Sequence, residues 1–206
     1  RNSSKIDGLQ TNYKLLLRNL NSNTENSNNF KKGEDYKLLS SVIFESYLPL
    51  KKEDENSNEY LTPKMSLRYS PNSTKNNSNL NKNLNYESIY SFDRIDSTAV
   101  EGGESLTLGL EYSSKNKKEE DILNISFASI YRLNENVDLP KIYGISEKRS
   151  DFIGSFEYKP SKFFDVNYQF AIDKNLNRSN YNLIQANFNV NNFVTSFEFL
   201  EEDNYL

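Results

Sequence analysis

Tyr90 to Tyr112 reads YSFDRIDSTAVEGGESLTLGLEY and changes character at its middle. Up to Gly103 the stretch is polar and charged, and the Gly102-Gly103 pair can take positive φ at little steric cost, so it reads as a structured loop entering a turn. From Glu104 onward Leu106, Leu108, Leu110 and Tyr112 alternate with Ser105, Thr107, Gly109 and Glu111. A period of two predicts a strand with one apolar and one polar face.

The same pattern recurs on both sides. Upstream, Leu9 to Leu20 sets Leu9, Tyr13, Leu15 and Leu17 against Gln10, Asn12, Lys14 and Arg18, and Tyr36 to Leu50 puts Leu38, Val42, Phe44 and Leu48 on one side. Tyr60 to Ser70 alternates Leu61, Met65, Leu67 and Tyr69 with Thr62, Lys64, Ser66 and Arg68. Pro63 lacks the N–H that a ladder needs, which places it at the start of that strand or at a bulge. Downstream, strands are expected near Glu104 to Ser114, Asp121 to Leu133, Arg149 to Tyr158, Lys162 to Asp173, Asn180 to Val190 and Phe193 to Glu201. In Lys162 to Asp173 the division is complete: Phe164, Val166, Tyr168, Phe170 and Ile172 face Asp165, Asn167, Gln169, Ala171 and Asp173. No helical period of comparable strength appears.

The connections add a second regularity. Compact turns at Lys51 to Glu59, Lys115 to Glu120, Lys159 to Ser161 and Asn191 to Asn192 alternate with longer polar loops at Asn21 to Asp35, Pro71 to Gly103, Asn134 to Lys148 and Lys174 to Ser179. A meander with short turns at one end and long loops at the other is the pattern of an outer-membrane barrel. The fold expected is all-β: an antiparallel up-and-down meander of about nine strands, an open part of a large transmembrane β-barrel.

Composition narrows the function classes. Hydrophobic residues make up 35% and aromatic residues 13%, with a mean hydropathy of -0.80, so apolar side chains must be concentrated on one face rather than fill a globular core. Net charge is -4 and the basic residues are scattered, which argues against a nucleic-acid partner. The chain has neither Cys nor His, which removes disulfides, thiolate or imidazole metal sites and any imidazole base, and no cofactor is implied. Carboxylates could in principle supply a glycosidase pair, but strand alternation accounts for most of them as polar-face residues. The N-terminal RNSSKIDGLQ has no apolar core of a signal peptide and no initiator Met, as expected of a piece of a longer chain. No apolar run approaches the roughly 20 residues of a spanning helix, which leaves strands as the route across a membrane.

Four segments in order resemble the LPS-assembly protein family, LptD, also called organic solvent tolerance protein OstA. They are SYLPL with EYLTPKMSLRYSP (Ser46 to Leu50, Glu59 to Pro71); Phe92-Asp93-Arg94, Val100-Glu101-Gly102-Gly103 and Leu108 to Tyr112; SDFIGSFEYKPSKFFDVNYQF; and RSNYNLIQANF. Where the family usually carries an Asp-Arg pair before Val-Glu, this chain has Thr98-Ala99. The resemblance implies a partial barrel domain over residues 1–206, the periplasmic domain and barrel-closing strands lying outside it, in the outer membrane of a Gram-negative bacterium. It implies a non-enzymatic translocon component that inserts lipopolysaccharide into the outer leaflet. Its partners would be lipopolysaccharide, outer-membrane lipids, an LptE-like lipoprotein plug and the periplasmic Lpt bridge.

Under that reading Lys14, Arg18, Lys64, Arg68, Asp165, Asn167 and Gln169 line a polar lumen; Arg94, Glu101, Gly102 and Gly103 form a loop and turn motif. Leu106, Leu108, Leu110, Tyr112, Phe164, Val166, Tyr168, Phe170 and Ile172 face lipid. Tyr112, Tyr131, Tyr158, Phe163 and Phe164, near strand ends, are candidates for an interfacial girdle. Two other readings stay open: a soluble or surface-exposed β-sandwich binding module, whose apolar faces would meet across a core, and another outer-membrane barrel such as a porin.

Overall fold

The computed structural model describes residues 8–25, 33–72, 74, 77–190 and 193–203. The Asn191 to Asn192 turn and residues 26–32 of the loop expected between Asn21 and Asp35 lie outside the described residues, and that loop is shorter than expected, because β1 runs on to Thr24 and β2 starts at Gly33. Ten strands form: β1 Gln10–Thr24, β2 Gly33–Tyr47, β3 Leu50–Glu53, β4 Ser57–Ser70, β5 Gly103–Asn116, β6 Asp121–Arg132, β7 Phe152–Ser161, β8 Phe164–Ile172, β9 Ser179–Val190 and β10 Phe193–Glu202. All belong to one antiparallel, open sheet in sequence order, β1 and β10 at its edges and the short β3 paired with β4 alone. No helix among the described residues is long and apolar enough to cross a membrane.

β3 is the strand that alternation did not predict, and Pro63 explains it. Pro63 sits in the middle of β4, not at its start. Pairing of β2 with β4 stops at Tyr47 opposite Lys64, and pairing of β3 begins at Leu50 opposite Leu61. At that break the backbone N–H of Leu48 donates to the Pro63 carbonyl at 3.1 Å. The missing N–H thus points at the discontinuity, where no ladder hydrogen bond is lost.

Directly opposed residues in antiparallel strands share a face, so the registers sort the side chains. One row runs Tyr13, Phe44, Leu67, Leu106, Tyr131, and another Leu61, Tyr112, Ile125, Phe156, Tyr168, Ile184, Phe199. This face is mainly apolar, with Glu104, Ser129, Asn182 and Glu201 as exceptions; no second sheet among the described residues covers it, and many of its side chains are exposed, Leu67 and Leu108 among them. The opposite face carries rows such as Lys14, Ile43, Arg68, Ser105, Arg132 and, further along, Ser113, Asn124, Glu157, Asn167, Gln185, Glu198.

Loops 71–102 and 133–151 leave the same end of the sheet and fold back over this second face. Leu84, Tyr86, Ile89, Tyr90 and Ile95 of the first loop, and Leu139, Ile142, Tyr143 and Ile145 of the second, form one core with Ala128, Ile130, Ile153, Ala171 and Tyr181 of the strands. The expectation of a uniformly polar face is therefore corrected: its loop-proximal half is an apolar floor under the loops. Burying a side chain such as Ile89 or Ile95 is worth about 1.5–3 kcal/mol each, so apolar packing supplies most of the loops' attachment. A 3₁₀ turn, Ser88–Tyr90, presents Ile89 and Tyr90 downward. The turn leading into it is fixed by reciprocal bonds, the Ser88 N–H to Asn85 Oδ1 at 2.8 Å and the Asn85 N–H to Ser88 Oγ at 3.0 Å.

Small side chains make room for this core. The row Lys64, Gly109, Ala128, Ile153, Ala171, Tyr181 is where Tyr90 descends: a Cβ on Gly109 would stand 1.9 Å from the Tyr90 hydroxyl. The Lys64 ammonium lies 3.9 Å from the Tyr90 ring centroid, within cation–π range. Gly109→Ala is expected to cost about 1–3 kcal/mol of overpacking strain in denaturant unfolding of the detergent-solubilised protein. Tyr90→Phe, which removes the colliding oxygen, should recover at least half of that loss in the double variant.

Candidate functional site

Where loop 71–102 rejoins the sheet, Glu101 is fully enclosed and shared by three guanidinium groups. Arg94 Nε donates to Glu101 Oε2 at 2.7 Å and its Nη2 to Oε1, a two-point contact within the loop itself. Arg132, at the end of β6, donates Nη2 to the same Oε1. Arg68, on β4, stands with Nε 4.0 Å from Oε2.

Each arginine also holds backbone. Arg94 donates to the Ile89 carbonyl at 3.2 Å, the Thr107 hydroxyl at 3.1 Å and the Ser105 hydroxyl at 2.8 Å. Arg68 reaches the Ser91 carbonyl and, at 3.3 Å, the Phe92 carbonyl. Arg132 reaches the Ile145 carbonyl at 2.9 Å in the second loop. One carboxylate thus ties β4, β5, β6 and both loops together.

The turn that delivers Glu101 uses its two glycines differently. Gly103 has φ +83, the left-handed conformation expected of the pair. Gly102 does not have it. A Cβ there would lie 2.2 Å from the Asn72 carbonyl oxygen and 2.7 Å from the Thr74 nitrogen, and its own N–H donates to Thr74 Oγ1 at 2.9 Å. It is glycine because another strand of backbone passes against it.

Burial alone would raise the Glu101 pKa; the guanidiniums of Arg94, Arg132 and Arg68 outweigh that and hold the carboxyl well below the usual carboxylate range. A carboxyl depressed in the folded state contributes stability that is complete above its ordinary value of 4.5, shrinks as pH falls below it, and is lost once pH passes below the folded pKa.

Of the residues singled out from sequence, Arg68, Arg94, Glu101, Gly102 and Gly103 come together here. The others share the face but not the cluster. Lys14 pairs with Glu45 at 2.8 Å, Arg18 donates to the Ala99 carbonyl at 3.4 Å, and Lys64 lies over Tyr90. Asp165 accepts from Asn187 at 2.8 Å, and Asn167 and Gln169 follow it along β8 on the same side. Leu106, Leu108, Leu110, Tyr112, Phe164, Val166, Tyr168, Phe170 and Ile172 all lie on the opposite, uncovered face. Arg132 escaped the sequence reading. Its position on β6, in step with Ala128 and Ile130, was the available signal. Among the described residues no group of three or more acidic side chains is placed to hold a metal ion.

Glu101→Gln keeps the shape but leaves buried guanidiniums short of their counter-charge, and is expected to cost about 3–5 kcal/mol in denaturant unfolding. Acid titration of the wild-type protein should show loop 71–102 still protected from protease at pH 4.5 and released only at distinctly lower pH.

A family model described as LptD, LPS transport system D, matches residues 5–204 of the chain. No curated protein matches it.

Proposed function

The chain belongs to the LptD family, LPS transport system D, and from that membership we propose that it forms part of the wall of an outer-membrane barrel that inserts lipopolysaccharide into the outer leaflet. The observation that carries this reading is the unlike character of the two faces of one continuous sheet. Apolar rows cross every full-length strand on the uncovered face, while charged and amide side chains and two folded loops occupy the other. A lipid-exposed barrel wall requires that division, because its backbone is satisfied between strands and its outward side chains replace water contacts with acyl chains. Strands of 9 to 15 residues are long enough to cross the hydrocarbon layer at the usual tilt.

In this reading Lys14, Lys64, Asp165, Asn167 and Gln169 border the polar path of the sugar head group, and loops 71–102 and 133–151 cover its outer end. The open edges at β1 and β10 pair with further strands of the same barrel. A lipoprotein plug of the LptE kind and the periplasmic Lpt bridge complete the machine. The family match, rather than the architecture, separates this reading from a porin. A β-sandwich would need a second sheet against Phe164 to Ile172 and Leu106 to Tyr112, and all described strands lie in one sheet.

A photo-crosslinking residue placed in living Gram-negative cells tests it. Substitution at Lys64 or Gln169 is expected to capture lipopolysaccharide only while its synthesis continues, whereas adducts at Tyr168 or Phe170, which face the outer leaflet itself, persist after synthesis is blocked. Absence of lipopolysaccharide adducts from both inward positions would reject the proposal.

A further inference from the structure

We propose that lifting the two loops uncovers a binding site for phosphate groups, built by Arg68 and Arg132, and that a phosphorylated glycolipid thereby favours the open state. The inference rests on the transport reading above and names the substrate chemistry that the covered face meets.

Three cations share one anion in the cluster, and the ownership of the charges is uneven. Arg94 and Glu101 both belong to loop 71–102 and bind each other through two contacts, so the pair leaves with the loop already neutralised. Arg68 and Arg132 belong to β4 and β6 and stay with the sheet. When the loops lift, these two lose Glu101, the Ser91 and Phe92 carbonyls and the Ile145 carbonyl together. Arg68 is poorly satisfied even when closed: its Nε makes no hydrogen bond. Of the further acidic side chains near the two arginines, Asp93 is turned outward toward Lys82 at 3.5 Å, and Glu45, on the same face of β2, is taken by Lys14 at 2.8 Å.

The geometry left behind suits a tetrahedral oxyanion. Arg68 and Arg132 are both opposite Ser105 in one cross-strand row, so their Cα atoms are two strand spacings apart, about 10 Å. Two guanidinium forks can converge on one phosphate across that gap. The Ser105 hydroxyl, freed from Arg94, lies between them as a further donor.

The two loops are joined to each other, so in this proposal they lift together and leave the strand part of the core behind. The Asn77 N–H donates to the Asp138 carbonyl at 2.7 Å, Asn136 Nδ2 to Thr74 Oγ1 at 2.8 Å, and both loops share one apolar core. A ligand that binds only the open arrangement must shift the equilibrium toward it, and its apparent affinity is reduced by the small fraction of molecules that are open.

Inorganic pyrophosphate and the full chain in detergent provide the test. At constant ionic strength, saturating pyrophosphate is expected to speed hydrogen exchange at the Ile89, Tyr90 and Ile95 amides at least tenfold over chloride. Unchanged or slowed exchange overturns the proposal. By calorimetry Glu101→Gln, whose closed state is weakened, should bind pyrophosphate at least tenfold more tightly than wild type, and adding Arg68→Gln with Arg132→Gln should abolish that binding. Equal affinity in Glu101→Gln and wild type, or binding that survives loss of both arginines, also overturns it. If the arginine variants do not fold, the exchange measurement on wild type decides. Lipopolysaccharide is absent from these experiments, so their failure leaves the transport reading standing, and failure of lipopolysaccharide crosslinking leaves the pyrophosphate result unaffected.

Discussion

Register is the constraint from which the rest follows. With a side-chain period of two, a slip of one residue between β4 and β5 would set Arg68 on the face of Leu106 and Leu67 on the face of Ser105, mixing the two faces. Long runs of consistent pairing, such as Ser57 to Ser70 against Gly103 to Asn116, keep the two faces distinct across the sheet. Register shifts occur near strand ends, at Ser114/Lys115, Tyr158/Ser161 and Ala171/Ile172, and the break between β2 and β3 is placed where Pro63 and Pro49 could not have donated to a ladder.

On that platform two different forces hold the loops. Apolar burial of Leu84, Ile89, Tyr90, Ile95 and their partners supplies the larger favourable contribution, while the ionic cluster around Glu101 contributes little net stability, because desolvation of buried charges offsets most of their attraction. What the cluster supplies is position and vulnerability. It fixes where the loop ends meet β4, β5 and β6, and it makes one carboxylate indispensable to three guanidiniums. A loop attached mainly by packing but located by charge can lift as a unit and return to the same place.

The strands were legible in the sequence because alternation is local: the Phe164 to Ile172 and Leu106 to Tyr112 faces follow from residue order alone. The alternation of short and long connections was legible for the same reason. The loop floor was not. Leu84, Tyr86, Ile89, Tyr90 and Ile95 have no regular period, since a coil segment chooses its inward side chains by contact with a surface that is distant in sequence. Arg94 and Glu101 were marked as a motif, yet their pairing through Ser105, Thr107 and Arg132 depends on three strands meeting. Gly102 shows the limit most plainly: its sequence suggested a turn conformation, and its actual requirement is the close passage of Asn72 and Thr74.

A barrel wall built from this sheet requires the uncovered face to be the one that meets lipid. Spin labels placed one at a time from Phe164 to Ile172 in reconstituted outer membranes measure this directly, through collision with oxygen, which concentrates in lipid, and with a water-soluble nickel complex. A strict period of two is expected, with oxygen access highest at 164, 166, 168, 170 and 172 and nickel access higher at 165, 167 and 169. Equal access along the strand, or the opposite phase, would contradict it.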